Sequence, residues 1–448
     1  MNDDLLALPE SLDSSTRMAE PLRGGVTGAH NRIGWRGMAR LLSACLLLYA
    51  GARLGQLFFQ GPVLAVQILS GCVLAFVAAQ AGRFYVRKYY LFLPDYVRWA
   101  LTPAPDRQQP THIFFLFTDH FEAATDDSRT IRWSAEYEAL ARRHRDADGR
   151  HPQHTWFYPI EQPYDPHMER LQKLVLGGFG EVEVHLHHNF DTAEGLEQKI
   201  RDGLAYFERF GFGKTIDGQS RFAFIHGLSG LDNSNGPAMC GVDRELEALK
   251  KLGCFADYTF PNVWENSQPP FVNSIYEAVD DDSPKSYRKR LPAAALGTGD
   301  LTIFQGPLLL VPSLNPRRLF LEVEDGNIHP ARPTTPKRVD LWVRANVHLP
   351  ARPDWLFVKV SGHCASSDED QLEALGPNFD AALTHLERHY NDGTRYVLHY
   401  VTAREAYNLA RAAAAGKPGD PSKYYDWIIK PYVSSAPRNT ASAGDVPS

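Results

Sequence analysis

The stretch HIFFLFTDHF, residues 112–121, is the first of a series of short apolar runs that decide the expected fold. Its length and its aromatic content predict a buried strand. Helix-like segments separate it from further strand-like runs, at residues 155–160, 181–187, 221–227, 255–260, 301–312, 355–363 and 394–402. Strands that alternate with helices predict an α/β fold with a parallel sheet, either open or closed into a barrel.

Polar residues cluster where these predicted strands end. The endings include TDHFE (118–122), PIEQ (159–162), HLHHNFD (185–191), IHGLSGLDN (225–233) and SGH (361–363). In parallel α/β folds, the carboxyl ends of the strands carry the active site. We therefore expect the functional residues of this chain to lie at one edge of the sheet.

Three histidines, His185, His187 and His188, form the sharpest of these endings. Residues two apart in a strand share a face, so His185 and His187 point the same way. His188 points the other way or lies on the following loop. Two imidazoles on one face suit a divalent ion such as zinc. The alternative is a set of hydrogen-bonded histidines with no ligand.

Asp119 and His120 end the first predicted strand. The aspartate is a candidate general base or metal ligand, and His120 is a further candidate ligand. Adjacent strand residues face opposite ways, so both converge on one ion only if the strand ends at Thr118. The alternative for Asp119 is a turn or a helix cap.

Other strand ends supply candidates for substrate contact and proton transfer. His363 ends a later strand and is a candidate general acid, because imidazole titrates near neutral pH. The candidates for substrate binding, each with an ordinary turn residue as the alternative, are Glu161, His226, Asp232 and Asn233.

Composition limits the classes of partner. The chain has 448 residues and a formal net charge of −6, which argues against nucleic acid as a partner. The five cysteines show no CxxC spacing and predict neither a zinc knuckle nor a disulfide framework. Gly213-Lys214-Thr215 resembles the end of a phosphate-binding loop, but Glu208 stands where that motif needs glycine.

Two apolar segments near the start, residues 41–60 and 62–81, predict a transmembrane helical hairpin. Alternatives are one span with an interfacial helix, or a buried hairpin in a soluble protein. Arginines and a lysine flank both ends of the pair, so the positive-inside rule predicts a soluble domain in the cytoplasm at a bacterial inner membrane. With a single span, a periplasmic domain stays open.

These segments imply a domain organisation. We expect a disordered N-terminal tail (1–35), a transmembrane hairpin (36–82), a membrane-proximal connector (83–110), a catalytic domain (111–415) and a mostly disordered C-terminal tail (416–448).

Several stretches resemble a bacterial family related to the polysaccharide deacetylases, in the glycoside hydrolase/deacetylase barrel superfamily. The resemblance covers residues from about 112 to 430. The matching stretches are FTDHFE, WFYPIEQ, GFGEVEVHLHHNFDT, FAFIHGLSGLDNS, CGVDRELEALKKLGCFADYTFPN and LHYVTAREAYN.

The resemblance implies a distorted (β/α) barrel that holds a divalent metal, by analogy zinc. It implies Asp119 as the base and His363 as the acid. His120 stands in place of a metal-binding aspartate, and His185 and His187 would be ligands, with His188 as a further candidate. Two departures from the deacetylases are the Asp119-His120 pair in place of two aspartates and HLHH in place of two histidines four apart.

The implied activity is removal of an N- or O-acetyl group from a bacterial polysaccharide or glycolipid. One alternative is a glycoside hydrolase on the same barrel, using two carboxylates such as Asp119 and Glu161. Another is a non-catalytic membrane subunit that works with polysaccharide biosynthesis or export proteins.

Overall fold

The computed structural model describes residues 43, 45–47, 49, 50, 53, 61–124 and 127–435. The chain divides into two compact units, Met1–Arg83 and Phe84–Ser448. The expected N-terminal tail, most of the first apolar segment and residues 436–448 lie outside the described residues.

The second unit alternates strands with helices, as the sequence pattern predicts. The strands are β1 (Thr111–His120), β2 (His154–Pro159), β3 (Gly180–Leu186), β4 (Phe222–His226), β5 (Cys254–Asp257), β6 (Ile275–Ala278), β7 (Leu301–Phe304), β8 (Leu309–Pro312), β9 (Leu321–Glu324), β10 (Asn327–Ile328), β11 (Trp355–Gly362) and β12 (Tyr396–Tyr400). The helices are α1 (Gly61–Val86), α2 (Leu93–Leu101), α3 (Asp127–Ala141), α4 (Asp165–Leu176), α5 (Ala193–Glu208), α6 (Glu245–Lys251), α7 (Pro336–Arg344), α8 (Asp368–Leu375), α9 (Pro377–His389) and α10 (Ala403–Ala414).

The main sheet has the strand order β10-β11-β1-β2-β3-β4-β5-β7-β6. Its neighbouring strands are parallel except for β6, which runs antiparallel to β7. Strand β12 also pairs in parallel with the first half of β1, and β8 and β9 form a separate antiparallel pair. The fold is therefore mixed α/β with a mostly parallel central sheet.

Alternation along β1 divides its side chains between two apolar cores. Phe114 and Leu116 pack into one core, together with residues of β4, β5, β7 and β11. Ile113, Phe115 and Phe117 pack into the other core, which includes residues of the surrounding helices. Because both faces of the sheet are buried, the strands read as nearly continuous apolar runs.

The sheet curves so that strands far apart in its order come into contact. The rings of Phe304 in β7 and Phe357 in β11 have centroids 5.5 Å apart. Lys359 in β11 donates from Nζ to the carbonyl of Phe260, just beyond β5, at 2.5 Å. This curvature is compatible with a barrel-like α/β fold.

Helix α1 contains the second apolar segment. Among the described residues, Ala65–Val86 is long and apolar enough to cross a membrane, by length and composition alone. Apolar side chains on it, such as Ile68 and Leu74, are exposed. The expected helical hairpin is not shown, since most of its first segment falls outside the described residues.

The predicted end of the catalytic domain at residue 415 is too early. Tyr425, Ile429 and Tyr432 are buried. Asn408 in α10 donates from Nδ2 to the carbonyls of Tyr425 and Ile429 at 2.7 and 2.8 Å. The segment is rich in Pro and Ser, and its composition alone does not indicate that these few widely spaced apolar side chains are buried. They attach residues 421–435 to the domain.

Candidate metal centre

Four side chains meet at the rim where β1 and β3 end. His120 is the last residue of β1, and Glu122 lies two residues beyond it. His185 lies in β3, and His187 follows that strand directly. Because β1 and β3 flank β2 and run parallel to it, their carboxyl ends reach the same edge of the sheet. We call these four residues the rim cluster.

One carboxylate oxygen of Glu122 faces three imidazoles. Its Oε1 lies 2.8 Å from Nε2 of His185, 3.7 Å from Nε2 of His187 and 3.9 Å from Nδ1 of His120. The ring centroids of His120 and His185 are 4.9 Å apart, and those of His185 and His187 are 4.6 Å apart. The structure thus brings together three of the histidines that the sequence analysis chose as metal ligands.

A backbone carbonyl holds the ring of His185 in one orientation. It is fully buried, and its Nδ1 lies 2.8 Å from the carbonyl oxygen of Ile225 in β4. That contact requires a proton on Nδ1, so in the neutral ring the lone pair of Nε2 points toward Glu122. A lone pair and a carboxylate this close need a proton or a cation between them. Metal-bound histidines are commonly held in this way by a backbone carbonyl.

His187 is oriented by a second carboxylate. Its Nδ1 lies 2.7 Å from Oε1 of Glu161, and its backbone N–H donates to the same oxygen at 3.2 Å. Burial, the largest single effect, lowers the pKa of His187, but the hydrogen bond to Glu161 and the negative charges of Glu122 and Glu161 together raise the pKa above its ordinary value. The side chain is 31% exposed, so this imidazole reaches solvent.

The rim cluster strongly favours a charged carboxylate and a neutral His120. Burial alone would raise the pKa of Glu122, but the hydrogen bond with His185 and the nearby imidazoles lower it to about 2. Burial and the adjacent His363 and His185 rings hold the pKa of His120 well below its ordinary value. The cluster therefore offers an anionic oxygen beside a neutral imidazole, which are the protonation states that metal ligands need.

His363 lies at the open side of the rim cluster. It follows β11, is exposed, and stacks on the ring of His120 with centroids 4.3 Å apart. Strands β1 and β11 are neighbours, which places this residue beside the cluster as expected. Its exposure leaves the imidazole accessible to a substrate.

Asp119 does not face the rim cluster. Strand β1 continues to His120, so the two adjacent side chains point to opposite faces. The Asp119 carboxylate is fully buried, lies 3.1 Å from Nε2 of His154, and accepts a hydrogen bond of 2.9 Å from the backbone N–H of Cys364. The condition for Asp119 and His120 to converge on one ion, a strand that ends at Thr118, is therefore not met.

His188 turns away from His187 and joins a second group. Its Nε2 lies 3.3 Å from Nε2 of His226 and 3.7 Å from Oε1 of Glu245. The third distance, from Nε2 of His226 to Oε1 of Glu245, is 2.9 Å. We call these three residues the inner cluster. All three are buried, so His226 does not contact a substrate in the way that the sequence analysis expected.

The loop after β4 supports this inner cluster. Asp232 is fully buried, and its backbone N–H donates to Oε2 of Glu245 at 2.7 Å. Asn233 donates from Nδ2 to Asp243 at 2.7 Å and is partly exposed. The substrate-contacting role predicted for Asp232 does not fit its burial. Its carboxylate points into the protein and accepts a hydrogen bond from the backbone N–H of Ser286.

Sequence reasoning missed two carboxylates, and the structure places one of them at the centre of each cluster. Glu122 stands two residues after His120, and side chains two residues apart in extended chain point to the same face. Glu245 opens helix α6, where an acidic residue is common in any helix. Only the fold shows that α6 delivers its first residue to the end of β4.

Both clusters have the donor chemistry of a metal site. In each of two groups, His120–Glu122–His185 and His188–His226–Glu245, the ligand atoms lie within 4.8 Å of one another. Imidazole nitrogen and carboxylate oxygen are common zinc ligands. Among the described residues, these buried histidine and glutamate groups could therefore hold a metal ion.

No protein-family model matches this chain, and no curated protein matches it. The interpretation of the site therefore depends on its geometry and chemistry.

Proposed function

We propose that this chain is a metal-dependent hydrolase of the carbohydrate deacetylase type, acting at the rim cluster. The observation that carries the proposal is the meeting of His120, Glu122 and His185 at the carboxyl edge of a parallel sheet. Two further imidazoles, those of His187 and His363, lie at the accessible side of the same group.

The ligands would be the two imidazoles and the carboxylate of that triad. The orientation of His185 by the Ile225 carbonyl supports this assignment, because it directs Nε2 toward Glu122. A bound zinc ion would supply Lewis acidity, polarising a carbonyl oxygen and lowering the pKa of a water molecule. Three protein ligands with one open position are typical of catalytic zinc sites.

His187 is suited to act as the general base in place of Asp119. Glu161 accepts from Nδ1, so Nε2 is free to take a proton on the side that faces Glu122. A histidine held by a carboxylate in this way keeps one tautomer and one orientation. The partial exposure of the ring leaves room for a water molecule and a substrate beside it.

His363 retains its expected role as the general acid. It is exposed at the end of β11 and lies against His120, on the side of the cluster away from the fully buried His185. In the deacetylase reaction, the departing amine or alkoxide needs a proton. The protonated imidazole of His363 would supply it.

The proposed substrate is an acetylated bacterial polysaccharide or glycolipid. Its support is the sequence resemblance together with helix α1, which is suited by length and composition to anchor the domain at the inner membrane. The basic residues around the apolar segments favour a cytoplasmic domain, near polysaccharide biosynthesis proteins. Glycoside hydrolysis by Asp119 and Glu161 is less well supported, because Asp119 is buried against His154 whereas Glu161 is exposed.

Acetate release tests the proposal. Full-length protein in detergent is loaded with zinc and incubated with N-acetylglucosamine oligosaccharides and with acetylated xylan. We expect acetate release from at least one of them, loss of activity after chelation, recovery with zinc, and at least about 100-fold lower activity in His185→Ala.

The exposed His389→Gln variant is the control and should match the unaltered protein. Release that survives chelation and the His185→Ala change would overturn the proposal. The absence of release from every substrate by the zinc-loaded protein would favour a non-catalytic subunit instead.

A further inference from the structure

The inner cluster combines three distant parts of the chain in one buried place. His188 follows β3, His226 ends β4 and Glu245 begins α6. Their side chains have 0% exposure. A glutamate buried at this depth costs much free energy unless a positive charge compensates it. Among the described residues, no lysine or arginine forms an ion pair with Glu245, and its titratable neighbours are the imidazoles of His226 and His188, at 2.9 and 3.7 Å.

The three ligand atoms have the spacing of a coordination triangle. Nε2 of His188, Nε2 of His226 and Oε1 of Glu245 are separated by 2.9, 3.3 and 3.7 Å. Ligand atoms about 2.0–2.1 Å from a tetrahedral zinc ion are roughly 3.3 Å apart. The observed separations scatter around that value, so one ion fits between all three atoms with little movement.

Hydrogen bonds within the protein satisfy these atoms only in part. The two Nε2 atoms lie 3.3 Å apart, close enough for one N–H···N hydrogen bond. Nδ1 of His226 lies 2.6 Å from the carbonyl of Gly227 and 3.1 Å from the backbone N–H of Gly230. With its proton on Nδ1, the ring directs the Nε2 lone pair toward the other two ligands. Oε1 of Glu245 is buried and makes no hydrogen bond of acceptable geometry. Three electron-rich atoms that face one another without enough protons point to a cation between them.

Two members of the inner cluster are also held by backbone groups. Glu245 accepts on Oε2 from the N–H of Asp232 at 2.7 Å, and Nδ1 of His226 lies 2.6 Å from the Gly227 carbonyl. The carboxylate of Asp191 lies 3.6 Å from Nδ1 of His188, which is too far for a hydrogen bond. Such backbone contacts behind the ligands orient them and are a regular feature of metal sites in proteins.

We propose that His188, His226 and Glu245 form a second divalent-cation site, with zinc as the preferred ion and a structural role. Because the ligands have no solvent exposure, this ion does not meet a polysaccharide. It ties the loop after β3, the end of β4 and the start of α6 together. The adjacent residues His187 and His188 then serve different sites on opposite sides of the chain.

Metal stoichiometry tests this site separately from the proposed function. Zinc is measured by mass spectrometry in the full-length protein after gel filtration in detergent. We expect two zinc ions per chain in the unaltered protein and one in His226→Gln/Glu245→Gln. The matched rim variant, His120→Gln/Glu122→Gln, should also hold one, and a variant with all four changes should hold none.

The buried His167→Gln change lies outside both clusters and is the control, with two zinc ions expected. The proposal would be overturned if the unaltered protein held a single zinc ion and the His226→Gln/Glu245→Gln variant kept it. If that ion were lost only in the rim variant, the proposed function would stay intact. Conversely, a zinc ion that the rim variant retains and the inner variant loses supports this inference even without deacetylase activity.

A spectroscopic measurement covers the case in which the inner variant does not fold. X-ray absorption at the zinc edge is recorded on the rim variant, whose inner ligands are unchanged. We expect a zinc ion with two imidazole ligands and one carboxylate, and no sulfur ligand. A sulfur-rich shell, or no bound zinc in the folded rim variant, would contradict the proposed ligand set.

Discussion

At the scale of single residues, Glu161 holds His187, the proposed general base, in one orientation. Glu161 receives both Nδ1 and the backbone N–H of His187 on one oxygen, so it fixes the ring relative to the chain. Among the described residues, the Glu161 carboxylate makes no hydrogen bond or ion pair with His120 or His185. We therefore regard Glu161 as a positioning residue that acts through His187.

Replacing Glu161 tests this role. We expect Glu161→Ala to lower kcat for acetate release about 10–100-fold, because the His187 ring loses its orientation, while KM and zinc content stay unchanged. Glu161→Gln should recover most of the activity, since its amide oxygen still accepts from Nδ1. Steady-state kinetics and metal analysis check these values.

The control for this pair is Glu136→Ala, which removes a partly exposed carboxylate paired with Arg132 on α3. It should leave kcat unchanged. Equal kcat in Glu161→Ala and the unaltered protein would show that His187 does not need this carboxylate.

At the scale of elements, a buried ion pair joins α10 to β3, the strand that carries His185. Arg404 donates to Glu181 at 2.8 Å and to Asp426 at 2.8 Å, and its side chain is 1% exposed. Its Nη1 also donates to the carbonyl of Ile429 at 2.9 Å. The network connects the start of β3 with the C-terminal segment and so supports the rim cluster from the opposite end of the strand.

We expect Arg404→Met to lower the free energy of unfolding by about 3–5 kcal/mol, because Glu181 would remain buried without a positively charged partner. The same substitution at Arg201, whose pair with Glu197 is largely exposed, should change it by less than about 1 kcal/mol. Urea denaturation followed by tryptophan fluorescence measures both. Equal small effects in the two variants would show that the buried pair does not hold α10 to the sheet.

The sequence predicts elements better than it predicts the direction of their side chains. Apolar runs located β1 and β3, and the alternation rule placed His185 and His187 side by side. The same rule depends on where a strand stops: β1 extends through His120, and so Asp119 faces the opposite side.

Other parts of the site depend on contacts between distant segments. Glu245 reaches His226 only because α6 packs beside the end of β4, and no local pattern marks that approach. The C-terminal segment likewise appeared unstructured because its composition is polar. Its order comes from three buried side chains, Tyr425, Ile429 and Tyr432, and from the hydrogen bonds of α10.

At the scale of the whole molecule, one edge of a curved parallel sheet carries two histidine–glutamate clusters with different surroundings. The rim cluster has partly exposed members and accessible imidazoles, as a catalytic site requires. The inner cluster has 0% exposure, as a structural site requires. The apolar helix α1 precedes this domain in the chain, and its residues Ala65–Val86 are long and apolar enough to cross a membrane, by length and composition alone.

The central claim is that the rim cluster binds a cation, and an anomalous difference map at the zinc edge tests it most directly. Crystals of the full-length protein grown with zinc should show a peak about 2.0–2.2 Å from Nε2 of His185 and from the Glu122 carboxylate, within reach of His120. A map without density there, in which His185 and Glu122 form a direct hydrogen bond, would contradict the account.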